Sequence, residues 1–397
     1  MTRSFRYRLR PSAAQAAVLF GWLRLTRELY NAALQERRDA WAKQRKSITA
    51  FDQMKQLPSV RAERPEFDSI PIVVQRGALR RLDRAFAGFF RRCKGGEKPG
   101  FPRFKGAHRW NSLLIDDLST STPLVAGGKR VKIPLLGKVR LHVTDDRPVR
   151  GVPKALRLTY GLGKWFVTFA CVDVLAKPLP ATGKTVGIDL GLLQFTATSD
   201  GEMFSNPRPL RAARIAVERA QRRVSRRRRG SKRRRRAAQA LARRHAHVAD
   251  IRREHHITIA RSLVARYDTI YVEDLNVRGL ARSVLAKSVH DAAWSTFRHW
   301  LACKAEDAGR QVVEVNPRGT SQSCSSCGSV ASEKLSLAVR WFKCAACGLS
   351  LDRDVNAARN IKGLGLAPQG AAPPARGRRR SAQRPRNDDR VTAEKSF

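Results

Sequence analysis

Three acids in separate segments and four cysteines in two pairs have the types and spacing to do chemistry. Asp189 stands in KTVGIDLGLLQF (Lys184 to Phe195), an otherwise apolar, glycine-bounded run that reads as a buried strand. An acid buried there needs a partner, because an unpaired charge is costly to remove from water. A divalent metal ion is the expected one. TIYVED (Thr269 to Asp274) reads as a second buried strand and ends on acids, with Glu273 foremost. LDRDVNAARNI (Leu351 to Ile361) opens a helix with Asp352 and Asp354, and the ordinary role of either is to cap it. Convergence changes the case. The carboxyl ends of neighbouring parallel strands line one crevice, so Asp189 and Glu273 are expected side by side, where an acid from a helix start can join them. Three carboxylates can hold two divalent ions about 3.5–4 Å apart, one activating water and one stabilising the leaving oxygen of a phosphodiester. Hard oxygen ligands favour Mg²⁺.

Cys324-x-x-Cys327 and Cys344-x-x-Cys347 are separated by sixteen residues, a spacing within the range of a four-cysteine zinc ribbon. A redox pair needs only one such motif. Four thiolates leave no open position on the ion, so this zinc is expected to be structural. Cys93, Cys171 and Cys303 have no such company and are expected to be buried small hydrophobes.

The rest of the chain must position these groups and bring a substrate to them. With 79 Lys+Arg against 33 Asp+Glu, the net charge of +46 in 397 residues points to a polyanion partner. Nucleic acid is favoured over an anionic membrane surface, and binding should weaken with log salt at roughly 0.9 per phosphate contact. No apolar run approaches the roughly 18–20 residues of a membrane span, and MTRSFRYRLRPS has no apolar signal-peptide core. The protein is therefore expected inside the cell, in two to four domains.

Ser4 to Arg10 alternates as a half-buried strand, and Ala13 to Trp41 and Pro71 to Cys93 carry helical periodicity. In the first helix Val18, Leu19, Trp22, Leu23, Leu29 and Leu34 are expected to face inward. KGGEKPGFPRFKGA (Lys94 to Ala107) reads as a loop whose Phe101, Phe104 and Lys105 could equally hold a nucleic-acid backbone and stack on a base. Short alternating runs from Trp110 to Leu175 predict an antiparallel barrel or sandwich, and PLPATG (Pro178 to Gly183) a linker. Lys184 onward predicts three strands in a meander, then a helical stretch from Arg211 to Tyr267 interrupted near Gly230, with an apolar face expected to pack on the sheet. Within it Gln221 to Arg236 holds eleven basic residues: Arg222, Arg223, Arg226, Arg227, Arg228, Arg229, Lys232, Arg233, Arg234, Arg235 and Arg236. Such a block reads as a nucleic-acid contact, or more plainly as a solvated face or localisation tag. Another amphipathic helix spans Ala292 to Ala308, with Trp294, Phe297, Trp300 and Leu301 turned inward, and a strand follows at Gln311 to Val315.

GIDLGL, VEDLNVRGL, NPRGTSQSCSSCG, CAACG and LDRDVNAARNI, in this order from about Gly187 to Ile361, together resemble the TnpB (OrfB) proteins of bacterial insertion sequences, relatives of the type V CRISPR effectors. YNAALQERR and GFPRFK add weaker similarity. The resemblance implies a multidomain α/β protein: a wedge β-barrel whose first strand is 1–10 and whose body is 107–178, a helical recognition domain at 11–106, an RNase H-like (RuvC) nuclease at 184–316 including the basic helical segment 211–267, a zinc ribbon at 317–350, the last nuclease helix at 351–363, and a disordered basic tail at 364–397. By position Asp189, Glu273 and Asp354 would be the catalytic, Mg²⁺-binding acids, and Cys324, Cys327, Cys344 and Cys347 the zinc ligands. It implies, too, a guide RNA transcribed from the element's end, double-stranded DNA as target, and the bacterial cytoplasm, at the nucleoid, as location. The expected activity is RNA-guided, metal-dependent DNA cleavage. A catalytically silent RNA-guided regulator, a transposase working without guide RNA, and a non-enzymatic zinc-ribbon binding protein are the rivals.

Overall fold

Arginine alternates with apolar residues at the start of the chain, and the result is strand β1 (Arg3–Arg10), which buries Tyr7 and Leu9 and leaves Arg6, Arg8 and Arg10 in solvent. Ser12 then starts α1 (Ala13–Gln44) with a capping box: its hydroxyl accepts from the Gln15 N–H, and the Gln15 side chain accepts from the Ser12 N–H. This computed structural model describes residues 1–118, 123–124, 128–143, 148–316, 319–331 and 339–367. They form two compact units, one of Met1–Lys184, Asn206–Asp268 and Val277–Val312, the other built from Thr185–Ser205, Thr269–Asn276 and the chain from Val313 onward.

In the first unit α1 is followed by α2 (Ala50–Lys55), α3 (Leu57–Glu63) and α4 (Ile72–Lys94). Strands β2 (Ser112–Ile115), β3 (Arg130–Ile133), β4 (Gly137–His142), β5 (Val152–Gly161) and β6 (Lys164–Val172) join β1 in an antiparallel sheet ordered β2-β5-β6-β1-β4-β3. One core serves helices and sheet, with Trp22, Tyr30, Leu79, Trp110 and Phe169 in it. Two of the buried tryptophans have their indole N–H paired, Trp22 donating to the Ser69 carbonyl and Trp110 to the Thr26 hydroxyl, whereas that of Trp165 has no partner among the described residues. Leu19, Trp22, Leu23, Leu29 and Leu34 face inward as expected, whereas Val18 is exposed.

The other strands and helices follow in chain order: β7 (Thr185–Leu190), β8 (Gln194–Thr198), β9 (Met203–Ser205), α5 (Pro209–Ser225), α6 (Lys232–Arg266), β10 (Thr269–Glu273), α7 (Val277–Leu280), α8 (Ala286–Ala292), α9 (Trp294–Ala308), β11 (Gln311–Val315), β12 (Trp341–Lys343), β13 (Ser350–Asp352) and α10 (Arg353–Leu366). The partners of α6 in the first unit are α5 and α9. Trp294, Phe297 and Leu301 of α9 are buried, and Trp300 is half-buried. The linker at Pro178 to Gly183 is not loose: the N–H groups of Thr182 and Gly183 donate to the Asp268 carboxylate, and Arg310 donates to the Pro180 carbonyl. Buried Cys171 matches its expectation, but Cys93, in the last turn of α4, is exposed and Cys303 is half-buried.

The second unit is organised on a mixed sheet ordered β11-β10-β7-β8-β9. β10 runs parallel to β7, with Val272 opposite Ile188, and β7, β8 and β9 form the antiparallel meander. α10 lies against β7, β8 and β10. Gly187 permits this approach, since a Cβ there would stand 2.1 Å from the Ala358 carbonyl oxygen and 2.6 Å from the Lys362 nitrogen. α10 runs on to Leu366, past the helix end expected at 363, and 368–397 of the expected tail lie outside the described residues.

Candidate metal-binding sites

The four cysteines stand at two tight turns, and β12 and β13 pair behind them around a small core of Phe342, Leu349 and Leu351. Their sulfurs all lie within 4.8 Å of one another. Cys324 to Cys347 and Cys327 to Cys344 are each 3.6 Å apart. Thiolates held about 2.3 Å from a tetrahedral ion would be roughly 3.8 Å apart, so these two pairs already stand near the spacing such an ion requires. The electrostatics agree. Hydrogen bonding with the side chain and backbone of Ser329 brings the Cys327 thiol down to about 6. The Leu349 N–H pulls the Cys347 thiol down, but Cys327, burial and the other two sulfurs together push it up to about 12. Four thiols this close cannot all lose their protons unless a cation joins them.

The acids are assembled from farther apart. Parallel pairing of β10 on β7 ends with Val272 beside Ile188, which places Glu273 next to Asp189 at the carboxyl ends of both strands. At the start of α10 the two aspartates divide the roles: Asp352 is the cap, its Oδ1 accepting from the N–H groups of Asp354 and Val355, and Asp354 lies in the first turn. The Asp354 carboxylate reaches the end of β7, for a Cβ on Gly191 would be 3.8 Å from its Oδ2. Burial raises the Asp189 carboxyl well above the ordinary range, and the charges of Glu273 and Asp354 raise it further. Glu273, 6 % exposed, is raised by burial, with the Thr320 hydroxyl that donates to it pulling the other way. Asp354 is raised by burial as well, while Arg340, 3.5 Å away, lowers it. Three acids whose charges oppose one another in packed protein suit a cation, which would reverse that balance. Among the described residues only the cysteines bring three or more such ligand atoms within 4.8 Å, so the carboxylates form a wider set.

The basic segment is divided between the end of α5, a turn and the start of α6. Arg222, Arg223, Arg226 to Arg229, Lys232, Arg233, Arg235 and Arg236 are exposed. Arg234 is not free for a partner: its guanidinium donates to the carbonyls of Val224 and Arg227 and closes the turn. Phe101 and Phe104 are 46 % and 44 % exposed. Phe101 packs edge-on against Phe86 and Phe89, and Arg38 lies over Phe104. Lys105 is half-buried, its backbone held on both sides by the Asn31 side chain.

Sequence reasoning assigned no role to Thr320, Arg340, Asn356, Asn360 or Gly187, which the structure places around the acids and the first cysteine knuckle. All but Arg340 fall inside the motifs that carried the family resemblance. For the two asparagines a signal existed in their recurrence at Asn356 and Asn360, one helical turn apart.

Fold and sites define a multidomain α/β protein with a four-cysteine cluster of the kind that can hold a metal ion and a separate acid cluster on a mixed sheet. Three family profiles match its sequence: a "Helix-turn-helix domain" of OrfB at residues 1–46, a "Probable transposase" (OrfB_IS605) at 169–284, and a "Cas12f1-like, TNB domain" at 294–361. Over 1–46 the structure has β1 and the single long helix α1. A Streptomyces pristinaespiralis protein named "Putative RNA-guided DNA endonuclease" is 33% identical over 393 residues, covering 96% of this chain and 94% of the relative. InsQ of Escherichia coli (strain K12), with the same description, is 26% identical over 92% of each chain. "CRISPR-associated endodeoxyribonuclease Cas12f1" of Sulfoacidibacillus thermotolerans is 38% identical over 95 residues, 23% of this chain and 21% of its own. The chain belongs to the TnpB (OrfB) family, which is related to Cas12. No helix among the described residues is long and apolar enough to cross a membrane.

Proposed function

We propose that this chain is an RNA-guided DNA endonuclease of a mobile element, hydrolysing phosphodiester bonds at Asp189, Glu273 and Asp354. The observation that carries the proposal is the meeting of these acids from β7, β10 and α10 within one unit, with the charge of Asp189 opposed by the other two. Full-length relatives described as RNA-guided endonucleases support it. On this reading the second unit is an RNase H-like (RuvC) domain with a zinc ribbon inserted before its last helix, and the sheet of the first unit is a wedge barrel beside a helical recognition domain. Zn²⁺ is held by the four cysteines and is structural.

Mg²⁺ at the acids, when bound, supplies an activated water and charge stabilisation at the leaving oxygen. The chain's own residues do the rest. Asp189 and Glu273 offer carboxylate oxygens from adjacent strand ends; Asp354 offers one from the helix opposite, kept off the cap by Asp352. Exposed arginines of 222–236, apart from Arg234, and the half-exposed rings of Phe101 and Phe104 hold the nucleic acid, with guide pairing reading the target sequence.

RNA that copurifies with the protein should be dominated by one species ending at the element boundary. Loaded with a matching guide, wild type should cut plasmid DNA in Mg²⁺, and Asp189→Ala should cut at least about 10³-fold more slowly, since loss of metal charge stabilisation costs several kcal/mol. Guide-dependent DNA binding without cleavage by wild type would make the chain a regulator. Binding to element ends after RNA is stripped would make it a transposase.

A further inference from the structure

Two asparagines of α10 grip the chain that carries the first cysteine knuckle. Asn356 is 0 % exposed, and its side-chain oxygen accepts from the Ser325 N–H at 2.9 Å while its amide nitrogen donates to the Ser323 carbonyl at 2.8 Å. Asn360, one turn on, donates to the carbonyls of Ser323 and Thr320, each at 2.7 Å. Ser323 and Ser325 flank the ligand Cys324, and the Thr320 hydroxyl donates to Glu273. Asp354 lies two residues before Asn356 on the same helix. The segment from Thr320 to Ser325 is thus held by the sulfur cluster, by α10 and by one of the acids.

Asparagine suits the task because one planar amide offers both a donor and an acceptor. The knuckle presents a carbonyl and an N–H two residues apart, and Asn356 answers both. If the knuckle loosened, a fully buried amide would lose its partners, which is costly, and α10 would be free to shift with Asp354 on it.

We propose that Asn356 and Asn360 are positioning residues that couple the two clusters, so that metal held by the four cysteines is required for tight metal binding at Asp189, Glu273 and Asp354. The coupling rests on the reading of those acids as metal ligands. Outer partners of metal ligands typically contribute 10- to 100-fold in affinity, and an effect in that range is expected here.

The test is a Mn²⁺ titration of the full-length chain, with free Mn²⁺ followed by electron paramagnetic resonance and zinc counted by elemental analysis. Asp189→Asn is the control for location. If it binds Mn²⁺ as wild type does, the acids are not the site, and the underlying reading fails together with the coupling. If it loses tight binding, Asn356→Leu decides the coupling alone: about 10- to 100-fold weaker Mn²⁺ binding with zinc retained is expected, and binding within twofold of wild type overturns the proposal. Asn356→Asp keeps the acceptor for Ser325 and loses the donor for Ser323, so it should fall between the two. Should Asn356→Leu not fold, wild type stripped of zinc by a thiol-selective chelator decides the same question. Weaker Mn²⁺ binding together with faster hydrogen exchange at Thr320 to Ser325 and in the first turn of α10 is the supporting result, and unchanged Mn²⁺ affinity after zinc loss is the refuting one.

Discussion

The two clusters of the second unit are built by opposite means. All four sulfurs come from Cys324 to Cys347 and lie within 4.8 Å of one another, so two tight turns and one short hairpin suffice to gather them. The acids come from β7, β10 and α10, and nothing local brings them together. They meet because β10 is parallel to β7 in the register that sets Val272 beside Ile188, because Asp352 caps α10 and leaves Asp354 turned to the site, and because Gly187 lets the helix close on the strand. A closed site is encoded by spacing. The wider, carboxylate site is encoded by topology, and each kind should break differently.

The largest effect is expected from the sulfur cluster. Cys327→Ser should lose the bound zinc and, with it, much of a binding free energy that is about 10–16 kcal/mol in structural zinc sites. Hydrogen exchange should then rise across 319–331 and 339–352 and stay unchanged in the core of Trp22, Tyr30 and Trp110 in the first unit. Equal protection of the ribbon in zinc-free and zinc-loaded protein would show that the cysteines are not held by a metal.

Next in size are the effects on the topology that gathers the acids. Gly187→Ala puts a methyl 2.1 Å from the Ala358 carbonyl oxygen, backbone that cannot step aside. A cost of about 1–3 kcal/mol or more is expected for such overpacking, read as a lower melting temperature and as weaker divalent binding. Gly21→Ala is the counterpart in the first unit. It lies inside α1 with nothing within 4 Å of its Cβ, so it should stabilise by up to about 1 kcal/mol through helix propensity. The same chemical change thus has opposite signs in the two places, and calorimetry of both variants checks it.

The same contrast explains what could be read in advance. Period-2 alternation in Arg3 to Arg10 and Lys164 to Val172, and period-3.6 spacing in α1 and α4, fixed their elements because local burial decides them. The paired cysteines were legible for the same reason. Residues that act across elements were not. Arg234 looked like one more exposed cation in a basic run, yet it closes the turn between α5 and α6. Residue type alone left Asp352 and Asp354 equivalent and only the family resemblance singled out Asp354; the physical reason, that Asp352 is the cap, lies in the helix-start geometry. Asn356 looked like an ordinary helix residue until its partners on the first knuckle were placed.

The smallest effect belongs to the acid cluster without its metal, and it has a diagnostic sign. The carboxyl of Asp189 is raised in the folded chain by burial, then by Glu273 and Asp354. Its contribution to stability is therefore full below the ordinary carboxylate range and is lost as pH rises through the raised value. Asparagine at this position carries no such titration. In metal-free protein Asp189→Asn should melt above wild type at about pH 7.5, and the gap should close as the pH is lowered toward about 4. Added Mg²⁺ should raise the melting temperature of wild type and leave the variant nearly unmoved, because only wild type keeps all three charges for a cation to neutralise. The sulfur cluster predicts the reverse pH trend, since acid protonates thiolates and releases their metal. Parallel melting curves for wild type and Asp189→Asn at every pH would mean that the three acids do not oppose one another, and the distinction between the clusters would lose its electrostatic half.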